Sequence, residues 1–191
     1  NARGVWSAMN KHKDAVRLPF TNPLRKTDWV WFLAFPIYLW IAIIRHEGSH
    51  ALIAFWEGAT IQQFGFLPTF SGKYGFLFGY IAMQGDTTWL TIAAPYFGNL
   101  ITFSATFLIC MYPGCLPRWI WLNMVIIGIV FPLLDTLYNY QNGFWRSHSD
   151  MAKLLQQIPA AWVHSALILS VILYCTGLLV VFKYSRFAGR Y

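Results

Sequence analysis

Apolar positions along the chain fall into four long runs, at 29–56, 87–112, 119–139 and 160–182. A helix crossing the hydrocarbon of a bilayer needs about 20 residues, and each run is long enough to be read as a span. The first is uncharged as far as Ile44 and then meets Arg45 and a cluster of polar residues. Pro36 is a kink point within it. Between the first two runs the pattern changes. Residues 60–67 and 73–81 are rich in aromatic and β-branched side chains, with Pro68-Thr69-Phe70-Ser71-Gly72 between them. That pattern predicts a β-hairpin with a longer turn. It is too apolar for a solvated loop, which puts it at the membrane interface or against the helices. Further on, Asn142-Gly143 predicts a turn. Ser147-His148-Ser149-Asp150 predicts the start of a short helix that Pro159 ends.

Composition supports the same class. Hydrophobic residues make up 57% of the chain and charged residues 11%, too little charge to coat a soluble surface. Aromatics reach 19%, with ten Trp and ten Tyr. Many stand near the ends of the runs, where such rings sit in a bilayer interface. The expected fold is an all-α integral membrane protein of about four transmembrane helices, with a short interfacial β-hairpin after the first.

The net charge of +7 is unevenly placed. Arg3, Lys11, Lys13, Arg17, Arg25 and Lys26 precede the first run, and Lys183, Arg186 and Arg190 follow the last. With four spans, both termini and Arg118 share one side, while Lys73, Arg146 and Lys153 lie on the other. The positive-inside bias then sets both termini in the cytoplasm of a multi-pass protein, in a bacterial inner membrane or an organellar one. Residues 1–28 read as a basic cytoplasmic segment and anchor rather than a cleaved leader. Residues 29–191 read as one membrane-embedded domain. Membrane lipids are expected partners; nucleic acid is not, because no basic face lies on a soluble domain. Cys110, Cys115 and Cys175 have no metal-knuckle spacing and read as packing residues.

The candidate chemistry lies in the first run. Only seven acids occur in the chain, and two of them, Glu47 and Asp135, fall inside apolar runs. A carboxylate near the centre of a spanning helix costs at least ~2.5 kcal/mol and marks a functional candidate. Glu47 belongs to His46-Glu47-Gly48-Ser49-His50. On a helix, positions i and i+4 lie about 40° apart around the axis, so both imidazoles face one way. Two such imidazoles suit Zn²⁺, and the glutamate between them suits the general base of a metallopeptidase. Zinc needs a third protein ligand. Asp135 is the first candidate, because His50 and Asp135 lie near the same end of parallel spans. Asp150, in the loop at that end, is the alternative, with an N-cap as its plainer role. His164 reads as an interfacial packing residue and His12 as solvated.

From residue 29 onward the chain resembles the site-2-protease class of intramembrane zinc metalloproteases, its compact members above all. His46-Glu47-Gly48-Ser49-His50-Ala51-Leu52 resembles the zinc helix of that class, and Glu57-Gly58-Ala59 the glycine that follows it. The hairpin is similar to its next strands. Ala94-Pro95-Tyr96-Phe97-Gly98-Asn99 resembles its Gly-Pro and Asn element, Pro132-Leu133-Leu134-Asp135 its Leu-Asp element, and Ser149–Leu155 a Ser-Asp segment of the compact members. The resemblance implies His46, His50 and Asp135 as zinc ligands and Glu47 as the base. Asn99 becomes a contact for the substrate backbone, and a membrane protein or peptide the substrate. A second reading is a catalytically silent relative, a scaffold subunit of a larger membrane complex. A third is a hydrolase or transferase acting on a lipid-linked substrate.

Overall fold

The computed structural model describes residues 26–72, 75–112 and 116–184. The expected basic segment up to Arg25, the position of Lys73, Cys115, and Arg186 and Arg190 lie outside them. After a 3-10 turn at Lys26–Trp29 and a helical turn at Val30–Leu33, the first long helix, α1, covers Phe35–Trp56. Pro36 sits in its first turn, where no N–H is needed, so it starts the helix instead of kinking it. The helix stops at Glu57. Gly58 then takes the left-handed conformation, with φ 89°. Its N–H donates to Phe55 O at 3.0 Å, and the N–H of Ala59 to Ala54 O at 2.9 Å. This is the paired closure of a Schellman end, and it turns the chain at once into the strands.

The hairpin forms, but its ladder is broken. Strand β1 (Thr60–Gly65) and strand β4 (Tyr80–Gln84) pair antiparallel, from Thr60↔Gln84 to Gly65↔Tyr80, with an irregularity between Ile61 and Gln63. A second ladder joins β2 (Thr69–Ser71) to β3 (Gly75–Leu77). Pro68 lies in the gap, where a residue with no N–H cannot continue the pairing. The chain therefore reverses between Ser71 and Gly75, later than the 68–72 turn expected. The hairpin folds back along α1, where Phe66 packs edge-on to Trp40 at 6.1 Å, and also reaches a later helix, where Phe78 meets Tyr138 at 5.7 Å.

Helix α2 covers Trp89–Met111, with the Thr88 hydroxyl accepting from Leu90 N as its N-cap. Helix α3 runs without interruption over Arg118–Trp145 and holds a π segment at Ile126–Val130. The expected turn at Asn142-Gly143 is not there. Gly143 instead packs beneath Met151 of helix α4 (Asp150–Gln157), where a larger side chain would collide. Here tertiary contact outweighs local turn preference. Ser149 caps α4, accepting from Ala152 N at 3.2 Å. Helix α5 covers Ala160–Tyr184.

Among the described residues three helices, α2, α3 and α5, are long and apolar enough to cross a membrane. The sequence reading gave four spans. Helix α1 is long enough, but Arg45, His46, Glu47 and His50 interrupt its apolar character midway. Its role is different: it lies against α2 and α3 and carries polar groups inward. Tyr38, Ala42 and Phe131 join it to α3, and Tyr38 Oη donates to Asn123 Oδ1 at 2.5 Å. At one end of the bundle Phe103, Trp121, Val125, Ile129, Tyr174 and Val181 form a core among α2, α3 and α5. The partly buried Asp28–Arg118 pair, at 2.5 Å, lies beside it. At the other end Ala93, Tyr96, Met151, Leu154, Val163 and Leu167 seat α4 on α2 and α5. That seating brings Asp150 over α1.

Candidate metal centre

Helical spacing sets His46 and His50 one turn apart on the inward face of α1, with ring centroids 5.1 Å apart. Each ring is fixed through Nδ1. His46 Nδ1 donates to Asp135 Oδ2 at 3.0 Å, and His50 Nδ1 donates to the Thr91 carbonyl at 2.7 Å. Both partners can only accept, so Nδ1 carries the proton in each ring. The two Nε2 atoms converge on Asp150 Oδ2, at 3.3 Å from His46 and 3.2 Å from His50. The three potential ligand atoms all lie within 4.8 Å of one another.

This is an arrangement of acceptors. With Nδ1 protonated, each neutral imidazole presents a lone pair at Nε2, and the carboxylate oxygen between them is also an acceptor. Such a cluster is stable only with a proton or a cation in its midst. The spacing fits a metal. Tetrahedral zinc with bonds of about 2.0–2.1 Å places its ligand atoms about 3.3–3.4 Å apart. Two imidazoles and a carboxylate are a zinc donor set, and His46 and His50 are well buried, at 11% and 6% side-chain exposure.

Asp135, the first-choice third ligand, stands elsewhere. It sits on the Nδ1 side of His46, and its other bonds are committed. Asn99 Nδ2 donates to Oδ2 at 2.7 Å, and Asn139 Nδ2 to Oδ1 at 2.9 Å. It orients a ring rather than facing the convergence point. Asp150, the alternative, occupies that point and is also in the first turn of α4. Asn99 is 1% exposed and supports Asp135. Glu47 lies on the neighbouring face of α1, under the start of β4. A Cβ on Gly79 would stand 3.0 Å from Glu47 Cγ and 3.2 Å from Oε1, so only glycine lets the strand backbone lie this close. His164 is in an aromatic cluster instead, with Tyr140 Oη 3.2 Å from its Nδ1 and Phe144 stacked on the ring.

Asn139 and the Thr91 carbonyl were not singled out from the sequence, and Arg45 only as the charge that ends the uncharged stretch. Asn139 is one turn after Asp135, a spacing that places it on the same face. Arg45 reaches α3 and donates from Nη1 to Ile127 O at 3.0 Å. In the π segment Phe131 N–H takes the Ile126 carbonyl. The next donor in that register would be Pro132, which has no N–H, so the Ile127 carbonyl is left for Arg45. The Thr91 carbonyl carries no signature in its own residue type. No family model, curated protein or solved structure matches the chain.

Proposed function

We propose that this chain is an integral membrane zinc peptidase of the site-2-protease type, hydrolysing a peptide bond in or near the bilayer. His46, His50 and Asp150 hold the metal in this reading, and Glu47 is the general base. The observation that carries it is the convergence of His46 Nε2, His50 Nε2 and Asp150 Oδ2, three potential ligand atoms within 4.8 Å of one another. The resemblance of the His46–His50 segment to the zinc helix of that class supports it independently. So does the apolar character of α2, α3 and α5, which are long enough to cross a membrane. In this reading α1 lies in the bilayer with them, as a fourth helix whose polar face is turned to its neighbours.

When bound, zinc supplies Lewis acidity toward the scissile carbonyl and makes water acidic enough to attack near neutral pH. The chain does the rest. Glu47 takes the proton from the attacking water and passes it to the departing amine. Asp135 and the Thr91 carbonyl hold the two imidazoles in the tautomer that offers Nε2. Tight packing of α2 and α4 around the rings keeps bulk water from competing. A membrane-spanning substrate keeps its backbone hydrogen bonds inside its own helix, so a peptide bond in it is hidden until it unwinds. The hairpin offers the replacement: an extended segment pairs with a free strand edge. Gly79 brings that backbone next to Glu47.

The test is Glu47→Gln in the purified full chain, with zinc content and cleavage of a membrane-peptide substrate both measured. Cleavage falls by three orders of magnitude or more, on the order of ~4 kcal/mol in barrier, while zinc stays at one per chain. Undiminished cleavage would overturn the peptidase reading. A wild-type chain that takes up no zinc and co-purifies with other subunits would replace it with the scaffold reading.

A further inference from the structure

Thr91 sits in the first turn of α2, and its carbonyl would ordinarily accept from the N–H four residues on. That residue is Pro95, inside the helix, which has no N–H to give. The carbonyl is left open, and His50 Nδ1 takes it at 2.7 Å. Thr91 is 2% exposed, so water does not compete. The residue is also tied down from outside the helix. Its hydroxyl donates to Glu57 Oε2 at 2.7 Å, and the same oxygen accepts from Thr88 N at 2.9 Å. The other oxygen, Oε1, accepts from the Thr88 hydroxyl. Glu57 closes α1, the helix that carries His50. The ring and the carboxylate that secures its acceptor thus belong to one rigid element, and α2 is clamped between them.

We infer that Pro95 and Glu57 are positioning residues for His50: Pro95 opens the Thr91 carbonyl, and Glu57 pins Thr91 so that this carbonyl meets Nδ1. The imidazole is thereby fixed with its proton on Nδ1 and its Nε2 lone pair toward Asp150. The inference rests on the reading of His50 as a metal ligand. Pro95 has a second consequence that makes it testable. A proline inside a helix is unfavourable for the helix itself, so replacing it by alanine restores a backbone donor and favours α2. A merely structural proline and a positioning proline then predict opposite things.

The experiment measures zinc and cobalt affinity of the full chain in detergent, by competition with a chromophoric chelator, alongside the melting temperature of the metal-free protein. Pro95→Ala is expected to weaken both metals about 10–100-fold, the usual consequence of losing a partner behind a histidine ligand, with an unchanged or higher melting temperature. The cobalt absorption spectrum shifts as the His50 ring loses its orientation. Glu57→Gln keeps the side-chain length but loses the full carboxylate, and is expected to weaken binding about tenfold by the same route; it carries the test alone if Pro95→Ala does not fold. Wild-type affinity in both variants overturns the inference, as does a loss of affinity that only follows a fall in melting temperature. Failure of the underlying reading looks different: the wild-type chain itself then binds neither metal.

Discussion

Asp135 and Asp150 touch the same imidazole from opposite sides. Asp135 accepts from His46 Nδ1 and is surrounded by donors, with Asn99 on one oxygen and Asn139 on the other. Asp150 lies across the ring at Nε2, where its neighbours are two histidine nitrogens and, at 3.6 Å, the half-exposed Lys153. Both are acids on α3 or the helix that follows it, at the same end of the bundle. What separates them is the state of their lone pairs. A carboxylate already supplied with amide donors is held in place and holds its neighbour in place. One whose closest contacts are imidazole nitrogens is open to a cation. Proximity to the histidines would have treated them alike; an account of donors and acceptors gives them different work.

The sharpest way to break that comparison is to remove each in turn. Asp150→Ala is expected to abolish stoichiometric zinc uptake, read by metal analysis of the purified chain. Asp135→Asn should retain zinc at saturation but bind it about 10–100-fold more weakly, because the amide cannot satisfy all the donors now aimed at it. The reverse pattern, zinc lost with Asp135→Asn and kept with Asp150→Ala, would exchange the two roles. A smaller effect tests whether Asp135 is held in place. Asn139→Ala removes its bond to Oδ1 and should lower unfolding stability by about 1.5–3 kcal/mol, the range for hydrogen bonds to a charged group. Denaturant unfolding in detergent reads this, with metal affinity changed only a few-fold.

The smallest effect uses a carboxylate away from the rings. Hydrogen bonds from the Thr88 side chain and backbone hold Glu57 below its ordinary value. A group depressed in the folded state adds stability above its unfolded pKa, about 4.3 for glutamate, and loses it as pH falls through the folded value. Unfolding stability followed downward from pH 6 should therefore decline more steeply in wild type than in Glu57→Gln. Equal slopes would mean that the clamp adds nothing.

Much of the fold was legible because apolar runs are long-range signals. The runs at 87–112, 119–139 and 160–182 became α2, most of α3, and α5. The run at 29–56 was the exception, since the residues that give it chemistry are those that spoil its hydropathy. The hairpin was legible in composition, but its turn was misplaced because Pro68 breaks the ladder without ending the strands. Asn142-Gly143 misled because the signal was local and the contact with Met151 was not. At the site, His46, Glu47, His50 and both aspartates could be found by residue type. The order of the two aspartates could not be, since depth along parallel helices says nothing about which side of a ring a carboxylate meets. The Thr91 carbonyl was invisible for a deeper reason: every residue has one, and only Pro95 four places on marks it as available.

The π segment at Ile126–Val130 makes the azimuth of Asp135 a matter of counting. A π turn is an α-helix with a residue to spare, and each residue turns an α-helix by about 100°. The bulge takes up that residue, so the helix beyond it keeps its facing; the same residues wound as a regular α-helix would swing Asp135 round α3, away from His46. The five residues of the bulge thus set the phase of the candidate centre without contributing a side chain to it.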